Sequence, residues 1–361
     1  MYNQIIHRNL KNMQVLADRM ACDLYPHFKT HKSLWIAREQ MKCGASGITC
    51  ATLEEAEVLA SGGIKDIILA YPVIDTKKMH RLLNISQYSN VDIVIESLSA
   101  LKRLAGFLRA RGNPGIGFYV EIDTGLGRLG LHPEGAARII LKMMKIKDGL
   151  SFRGILSHAG HAYSSSGKEE VVSIAADEVA EMINVKEQLS DYGFDDVQIS
   201  VGCTPTILSG QDLSGVSNIR PGNYVFNDAI QVGLGVCGPQ DCALRVISEV
   251  ISVKKDRLII DAGSKSLGLD KGAHSNEICK GHGIIVRKPG SSESIEGLFI
   301  ERLSEEHGII RRRGASGIKE GDIIEIIPNH SCYVTNLFSN IYVIDQNSLE
   351  VLHTVDVDAR R

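Results

Sequence analysis

The chain has 361 residues, 43% hydrophobic and 23% charged, with a formal net charge of −3. That composition fits a folded globular protein with room for one large domain and a smaller one, and the charge gives no electrostatic case for nucleic acid or an anionic membrane. With 5% aromatic residues and one tryptophan there is no evident stacking platform for bases; no apolar run of about 18 residues could span a bilayer, and the first residues lack a signal-peptide pattern.

A helical pattern opens the chain and gives way to a short strand at 23–29, ending near Lys29. Further apolar runs follow at 47–52, 66–71, 92–96, 117–123, 153–158, 197–201 and, less regularly, 218–226. Helical patterns separate them, for example at 34–41, 53–60, 98–110, 133–144 and 169–189. Continuous apolar strands between helices imply a parallel sheet covered on both faces. Eight such units in about 200 residues match a (β/α)8 TIM barrel. An open doubly wound sheet would usually stop sooner, and no G-x-G-x-x-G follows the first strand, so a dinucleotide site is not supported. Beyond residue 236 the pattern changes to strands at 246–253, 257–261, 283–287, 321–327 and 340–344, with helical patterns nearly absent. The expected fold is therefore α/β, an N-terminal TIM barrel over 1–236 with a C-terminal antiparallel β domain over 237–361. The eight cysteines form no C-x-x-C pair. Without an export signal, a reduced cytoplasmic protein is expected rather than a disulfide scaffold.

In a barrel, chemistry gathers at the C-terminal ends of the strands. The first strand ends in Tyr25-Pro26-His27-Phe28-Lys29-Thr30-His31-Lys32. A partly desolvated lysine there is a nucleophile toward an aldehyde; a solvated basic turn is the commoner use of such a run. The fifth strand offers Asp123 to Arg128, the sixth His158, His161 and Tyr163, the seventh 202–206 and the eighth 220–224. The last two segments combine Gly, Thr and Asn with prolines. They suit a phosphate held by backbone N–H groups and hydroxyls, although tight turns use the same residues. A lysine opposite a phosphate loop is what pyridoxal 5'-phosphate requires, with its aldehyde and phosphate on opposite sides of one ring. Arg128 can bond the ring's phenolic oxygen, and Tyr163 its edge or nitrogen; a surface ion pair and a domain-seam tyrosine are the plainer readings. His158 and His161 are candidates for a general base and its neighbour. In the β domain, His330 and Cys332 stand two apart on an expected strand and so share a face. Imidazole with thiolate favours zinc or a similar divalent metal, with positions left open for water and a substrate hydroxyl. A buried cysteine beside an ordinary histidine is the alternative. His307 is either a further pocket residue or part of a turn.

These segments resemble the D-threonine aldolase and D-serine dehydratase family, pyridoxal phosphate enzymes of the alanine-racemase fold type. The matching stretches run in the family's order at 26–32, 121–130, 158–163, 200–206, 220–224, 261–265 and 328–332. The resemblance implies that Lys29 carries pyridoxal phosphate and that His330 and Cys332 bind a divalent metal, zinc or manganese. It implies that Arg128 and Tyr163 orient the ring, and that Thr204, Thr206, Gly222, Asn223 and Tyr224 form the phosphate region. It also implies a homodimer, with the active site between one subunit's barrel and the other's β domain. Family members usually carry a Thr-Pro and a strand joining the β domain ahead of this point. Met1 stands almost at the first helix, so a gap and an exposed edge are expected there. The implied activity is retro-aldol cleavage of D-threonine-like 3-hydroxy amino acids to glycine and an aldehyde, with His161 as base. The wording of 329–332, followed by Asn336-Leu337, is slightly closer to the aldolases. The alternative is dehydration of D-serine or D-3-hydroxyaspartate to a keto acid and ammonia, with Lys29 taking the α-proton. A racemase has no use for a metal-binding pair, and non-catalytic carriers of the cofactor resemble the barrel alone.

Overall fold

A computed structural model describes residues 1–112, 115–269, 279–286, 289–295, 297–312 and 317–360. Among them the barrel runs α1 (Asn3–Arg19), β1 (Asp23–Leu24), α2 (Leu34–Lys42), β2 (Ile48–Cys50), α3 (Leu53–Ser61), β3 (Asp66–Leu69), α4 (Thr76–Ile85), β4 (Asn90–Ile95) and α5 (Leu98–Arg109). It continues through β5 (Gly117–Ile122), α6 (Pro133–Met144), β6 (Ser151–Ser157), α7 (Lys168–Ser190), β7 (Gln198–Val201), α8 (Thr204–Leu208), β8 (Asn218–Ile219) and α9 (Ala229–Gly233). The strands pair in parallel in the order β1-β8-β7-β6-β5-β4-β3-β2. Ser46 N–H donates to Leu24 O and Thr49 N–H to Pro26 O, both at 2.9 Å, which closes the circle.

Alternation along each strand divides the apolar side chains between two layers. Ile68, Val94, Tyr119 and Leu156 point inward and pack together inside the barrel. Ile67, Leu69, Ile93, Ile95, Phe118 and Val120 point outward into the core under the helices. The helices answer with stripes of their own. In α5, Leu101, Leu104, Ala105 and Leu108 are buried on one face, and Ser97 caps its start by accepting the Ala100 N–H. Gly154 marks a close backbone contact between strands. It pairs with Gln198 across β6 and β7, and a Cβ there would stand 2.0 Å from Gln198 O. Gly154→Ala must push the two strands apart, at a cost of about 1–3 kcal/mol. A thermal melt should fall by several degrees, and an unchanged midpoint would show that the barrel yields at this position.

The second domain holds β9 (Val246–Val253), β10 (Arg257–Ile260), α10 (Ser264–Leu267), β11 (Ile284–Val286), β12 (Leu298–Leu303), β13 (Gly308–Arg312), β14 (Ile323–Ile327), α11 (Ser331–Leu337), β15 (Asn340–Ile344) and β16 (Val351–Asp356). Six of these strands form an antiparallel sheet in the order β11-β14-β9-β10-β13-β12, and β15 pairs with β16 separately. In β9 the side chains of Val246, Ser248 and Val250 are buried while Ile247, Glu249 and Ile251 face out. Met1 and Tyr2 lie along β15: the Met1 amine donates to Tyr342 O at 2.7 Å, and Ile344 N–H donates to Met1 O at 2.8 Å. A cavity of about 440 Å³ opens beside them, lined by Val246, Ile247, Ile341 and Tyr342 among others.

Several expectations need correction. β1 and β8 are each two residues long, because Pro26 and Pro221 lack the N–H that a longer ladder needs. Lys29 therefore sits not on a strand but in a 3-10 turn, Phe28–Thr30. His330 and Cys332 are not on a strand either: β14 stops before Pro328, His330 is the N-cap of α11 and Cys332 lies in its first turn. The strands β12, β13 and β16 and the helices α10 and α11 were not anticipated. In β12 and β13, charged residues such as Glu301, Arg302 and Arg311 interrupt the apolar pattern, and β12 carries a register shift between Ile300 and Arg302. Of the strand expected at 283–287, the last residue lies outside the described residues. No helix among the described residues is long and apolar enough to cross a membrane.

Candidate active site

A cavity of about 470 Å³ opens at the C-terminal ends of the barrel strands, with α11 of the β domain along one side. Lys29, Arg128, His158, Tyr163, Arg220, Gly222 and Asn223 line it from the barrel, and His330, Cys332 and Asn336 from the β domain. Its size is that of an ordinary small-molecule site.

The turn that presents Lys29 is anchored by the fully buried Phe28 and Thr30 on either side of it. His27 caps the turn by accepting the Lys29 N–H. Burial pushes the Lys29 amine below its ordinary range; the nearby Cys332 opposes this, and Arg128 adds to it. The amine is thereby moved toward its neutral, nucleophilic form. A second amine, Lys32, donates to Asn336 Oδ1 at 2.8 Å and stands 3.8 Å from Glu55.

Arg128 leaves a tight loop in which Gly125 and Gly127 N–H groups donate to Asp123 and Gly130 N–H donates to Glu96 at 2.7 Å. Gly130 is required there: at φ +113° a Cβ would meet Asp123 N at 2.7 Å. The Arg128 guanidinium remains half exposed, 3.6 Å from Glu121. Arg220, by contrast, is buried. It donates to Ser200 Oγ and Ser157 O, and burial lowers it to about 10 against the pull of Glu178 and Glu121. Glu178 in turn accepts from Ser157 Oγ at 2.6 Å and from Ala159 N–H at 3.2 Å. Two cations therefore stand over the cavity beside the lysine turn.

The residues expected around a phosphate are placed unevenly. Gly222 and Asn223 line the cavity. Gly222 packs so closely on the lysine turn that a Cβ would meet Thr30 Oγ1 at 2.7 Å. Tyr163 is buried and its hydroxyl bonds Thr204, and burial pushes the phenol well up. Thr204 Oγ1 also accepts the Tyr224 N–H at 3.1 Å. Thr206 turns back on Cys203, accepting its N–H and donating to its carbonyl. The Tyr224 hydroxyl accepts from Gln40 at 3.1 Å. Among the described residues, Thr204, Thr206 and Tyr224 thus support the lining without belonging to it. His158 lines the cavity, whereas His161 does not; its ring lies against Gly125. His307 occupies the exposed turn between β12 and β13.

His330 and Cys332 face the lysine turn from α11. The Cys332 thiol donates to Thr30 Oγ1 at 3.2 Å, and the His330 and Cys332 side chains are hydrogen-bonded. Burial alone would raise Cys332 and lower His330. Each instead holds the other's charged form, so the thiol moves below its ordinary range and the imidazole rises to about 10. His330 Nδ1 also stands 3.3 Å from Asp228 Oδ2. Among the described residues, no three His, Cys, Asp or Glu side chains converge as a closed metal cluster would require. This pair supplies one nitrogen and one sulfur donor, a set that suits a divalent metal with open positions.

Arg220, Glu178 and Asp228 were given no role by sequence reasoning. Signals existed for two of them. Glu178 is a lone carboxylate on the apolar stripe of α7, among Val171, Ala175, Val179 and Met182. Asp228 stands directly before a short apolar helix, where an N-cap belongs.

Residues 3–229 match the family model for the alanine racemase N-terminal domain, and residues 243–344 match that for a serine dehydratase domain. The D-threo-3-hydroxyaspartate dehydratase of Delftia sp. (strain HT23) is 32% identical over 339 residues, covering 91% of this chain and 88% of the relative. Its solved structure superposes with a TM-score of 0.90, over 99% of this chain and 95% of that one. The D-serine dehydratase of Dictyostelium discoideum is 28% identical over 371 residues, covering 96% and 92%. The D-threonine aldolase structure from Filomicrobium marinum superposes with a TM-score of 0.88 at 25% identity, covering 100% and 94%.

Proposed function

Because the chain belongs to the D-threonine aldolase and D-serine dehydratase family, pyridoxal phosphate-dependent lyases of the alanine-racemase fold type, we propose that it dehydrates D-3-hydroxy amino acids to a keto acid and ammonia. D-Serine and D-3-hydroxyaspartate are the substrate class. One observation carries the choice of reaction. Lys29, the base a dehydration needs, lines the cavity with a depressed amine, while His161, the base assigned to aldol cleavage, is not among the described lining residues.

The lining suits the cofactor through its half-buried amine and two adjacent cations. Pyridoxal phosphate, when bound, supplies the electron sink that lets a bond at Cα break. In this reading Lys29 Nζ holds it and then takes the Cα proton. Arg128 and Tyr163 orient the ring, and the Gly222–Asn223 turn holds the phosphate end. His330 and Cys332 would hold a divalent metal, zinc or manganese, as a Lewis acid for the β-hydroxyl. The β-hydroxyl would leave as water, its proton balancing the one taken from Cα, and the unsaturated amine, once tautomerised to the imine, takes up one water to give the keto acid and ammonia. The eight unbridged cysteines fit a reducing, cytoplasmic setting. The homodimer belongs to the same reading and is checked by light scattering.

Retro-aldol cleavage is the second reading, favoured by the likeness to D-threonine aldolases. A product assay with pyridoxal phosphate and manganese or zinc separates the two. D-threo-3-Hydroxyaspartate and D-serine should yield keto acid and ammonia in equal amounts. Glycine with acetaldehyde from D-threonine, and no keto acid from the others, would replace dehydration by cleavage.

A further inference from the structure

We infer that Asp228 is a positioning residue: its buried carboxylate, on the barrel side of the domain seam, fixes the His330 ring for metal binding and ties it to the turn at the phosphate end of the cofactor site. The inference rests on the proposed metal role of His330 and Cys332.

The Asp228 side chain is fully buried, and its two oxygens do different work. Oδ1 accepts the Gln231 N–H at 3.1 Å and caps α9. Oδ2 accepts from Asn223 Nδ2 at 2.5 Å and from Ser331 N–H at 3.0 Å, and faces His330 Nδ1 at 3.3 Å. Asn223 belongs to the cofactor turn, while Ser331 and His330 begin the helix that carries Cys332. One oxygen atom therefore joins the two halves of the site. The backbone holds the same seam. Ala229 N–H donates to Pro328 O at 3.0 Å, Ile230 N–H to Asn329 O at 3.3 Å and Ser331 Oγ to Asn227 O at 2.8 Å.

A backbone N–H and an amide N–H2 can only donate, so Oδ2 acts as an acceptor. An acceptor facing Nδ1 favours the tautomer with its proton there and leaves the lone pair of Nε2 for a ligand. Nδ1 lies off the straight hydrogen-bond line, so the carboxylate restrains the ring by charge and contact as well as by direction. A metal-binding imidazole commonly owes its orientation to such a partner, and its loss typically weakens metal binding 10–100-fold, by roughly the same factor as activity.

The test is titration of cobalt(II) into metal-free protein, reading the thiolate-to-cobalt charge-transfer band, for the wild type, Asp228→Asn, Asp228→Ser and Glu325→Gln. Serine keeps a helix cap but is too short to reach the imidazole. Glu325→Gln is the control for general destabilisation: it disturbs a buried contact that Glu325 of β14 makes with Tyr2 and Arg245, away from the site. The expected result is a cobalt Kd raised about 10–100-fold in Asp228→Asn and Asp228→Ser, a charge-transfer band still reached at saturation, and an unchanged Kd in Glu325→Gln. If either Asp228 variant folds and binds cobalt like the wild type, Asp228 is only a helix cap and the inference fails alone. An equal loss in Glu325→Gln also overturns it, by assigning the effect to stability. If the wild type binds no cobalt, both this inference and the metal role of the pair fall.

Discussion

Replacing Lys29 with alanine should abolish turnover and the covalent attachment of pyridoxal phosphate while leaving the fold intact. Lys29 is half-buried, and desolvation disfavours its protonated form there, so its removal relieves a desolvation cost instead of breaking an ion pair. The 3-10 turn is held by Phe28, by Thr30 and by the His27 cap, none of which needs the Lys29 side chain. Stability should therefore stay near that of the wild type or rise slightly. Turnover should fall by at least about 10³-fold, the scale of a lost general base, with the lost covalent anchor adding to it. Borohydride reduction of the wild type followed by peptide mass analysis should place a phosphopyridoxyl group on the peptide containing Lys29. In Lys29→Ala that adduct and the yellow absorbance should both be absent. A variant that kept the yellow band would sink the assignment of Lys29, whatever happened to its activity. Lys32 supplies an internal contrast, because it lines the same cavity but is engaged with Asn336 and Glu55. Reduction should leave it unlabelled.

The barrel was legible in this sequence because its strands are apolar on both faces. Ile67 to Leu69, Ile93 to Ile95 and Phe118 to Ile122 are buried whichever way they point, and such runs announce themselves. The regular part of α6 follows from the spacing of Ala136, Ala137, Ile140 and Met143, while Pro133 opens a turn that breaks at Glu134 and at Gly135, whose φ is +83°. The outer strands of the β domain were not legible, since β12 and β13 carry arginine and glutamate on faces open to solvent. The site was legible as a set of segments but not as a geometry. Thr204, Thr206 and Tyr224 stand in the right loops, yet their polar atoms are taken up by Tyr163, Cys203 and Gln40. Spacing along a chain cannot tell a hydroxyl that faces a cavity from one that caps a helix. The same limit applies to His330 and Cys332. Two residues apart suggested one strand face; the chain instead turns at Pro328 and delivers both through a helix start. Asp228 was invisible for a further reason: its partners Asn223 and Ser331 are 5 and 103 residues away, and only the folded seam brings them to one oxygen.

Dialysis against a chelator should remove most of the activity, and manganese or zinc should restore it; in His330→Ala no metal should restore it. The loss expected in that variant is about 10²–10³-fold, the effect of removing several kcal/mol of Lewis-acid stabilisation from the step in which the β-hydroxyl leaves. The surroundings of the ring let the variant remain folded. His330 is at the edge of its buried pocket, with its side chain 16% exposed. When the imidazole is removed, Asp228 Oδ2 still receives Asn223 Nδ2 and the Ser331 N–H, so no buried acceptor is left without a donor. Cys332 keeps its contact with Thr30, but it loses the neighbour that held its thiolate. Burial then dominates and raises the thiol, which weakens the second donor along with the first. One substitution should therefore disable both proposed ligands without opening the fold. The measurement pairs turnover with and without added metal against bound pyridoxal phosphate and a melting curve for each protein. Unchanged cofactor content and melting with activity lost is the expected pattern. Full activity of His330→Ala in the presence of chelator would refute the metal role, and the reaction would then have to rest on Lys29 and the cofactor alone.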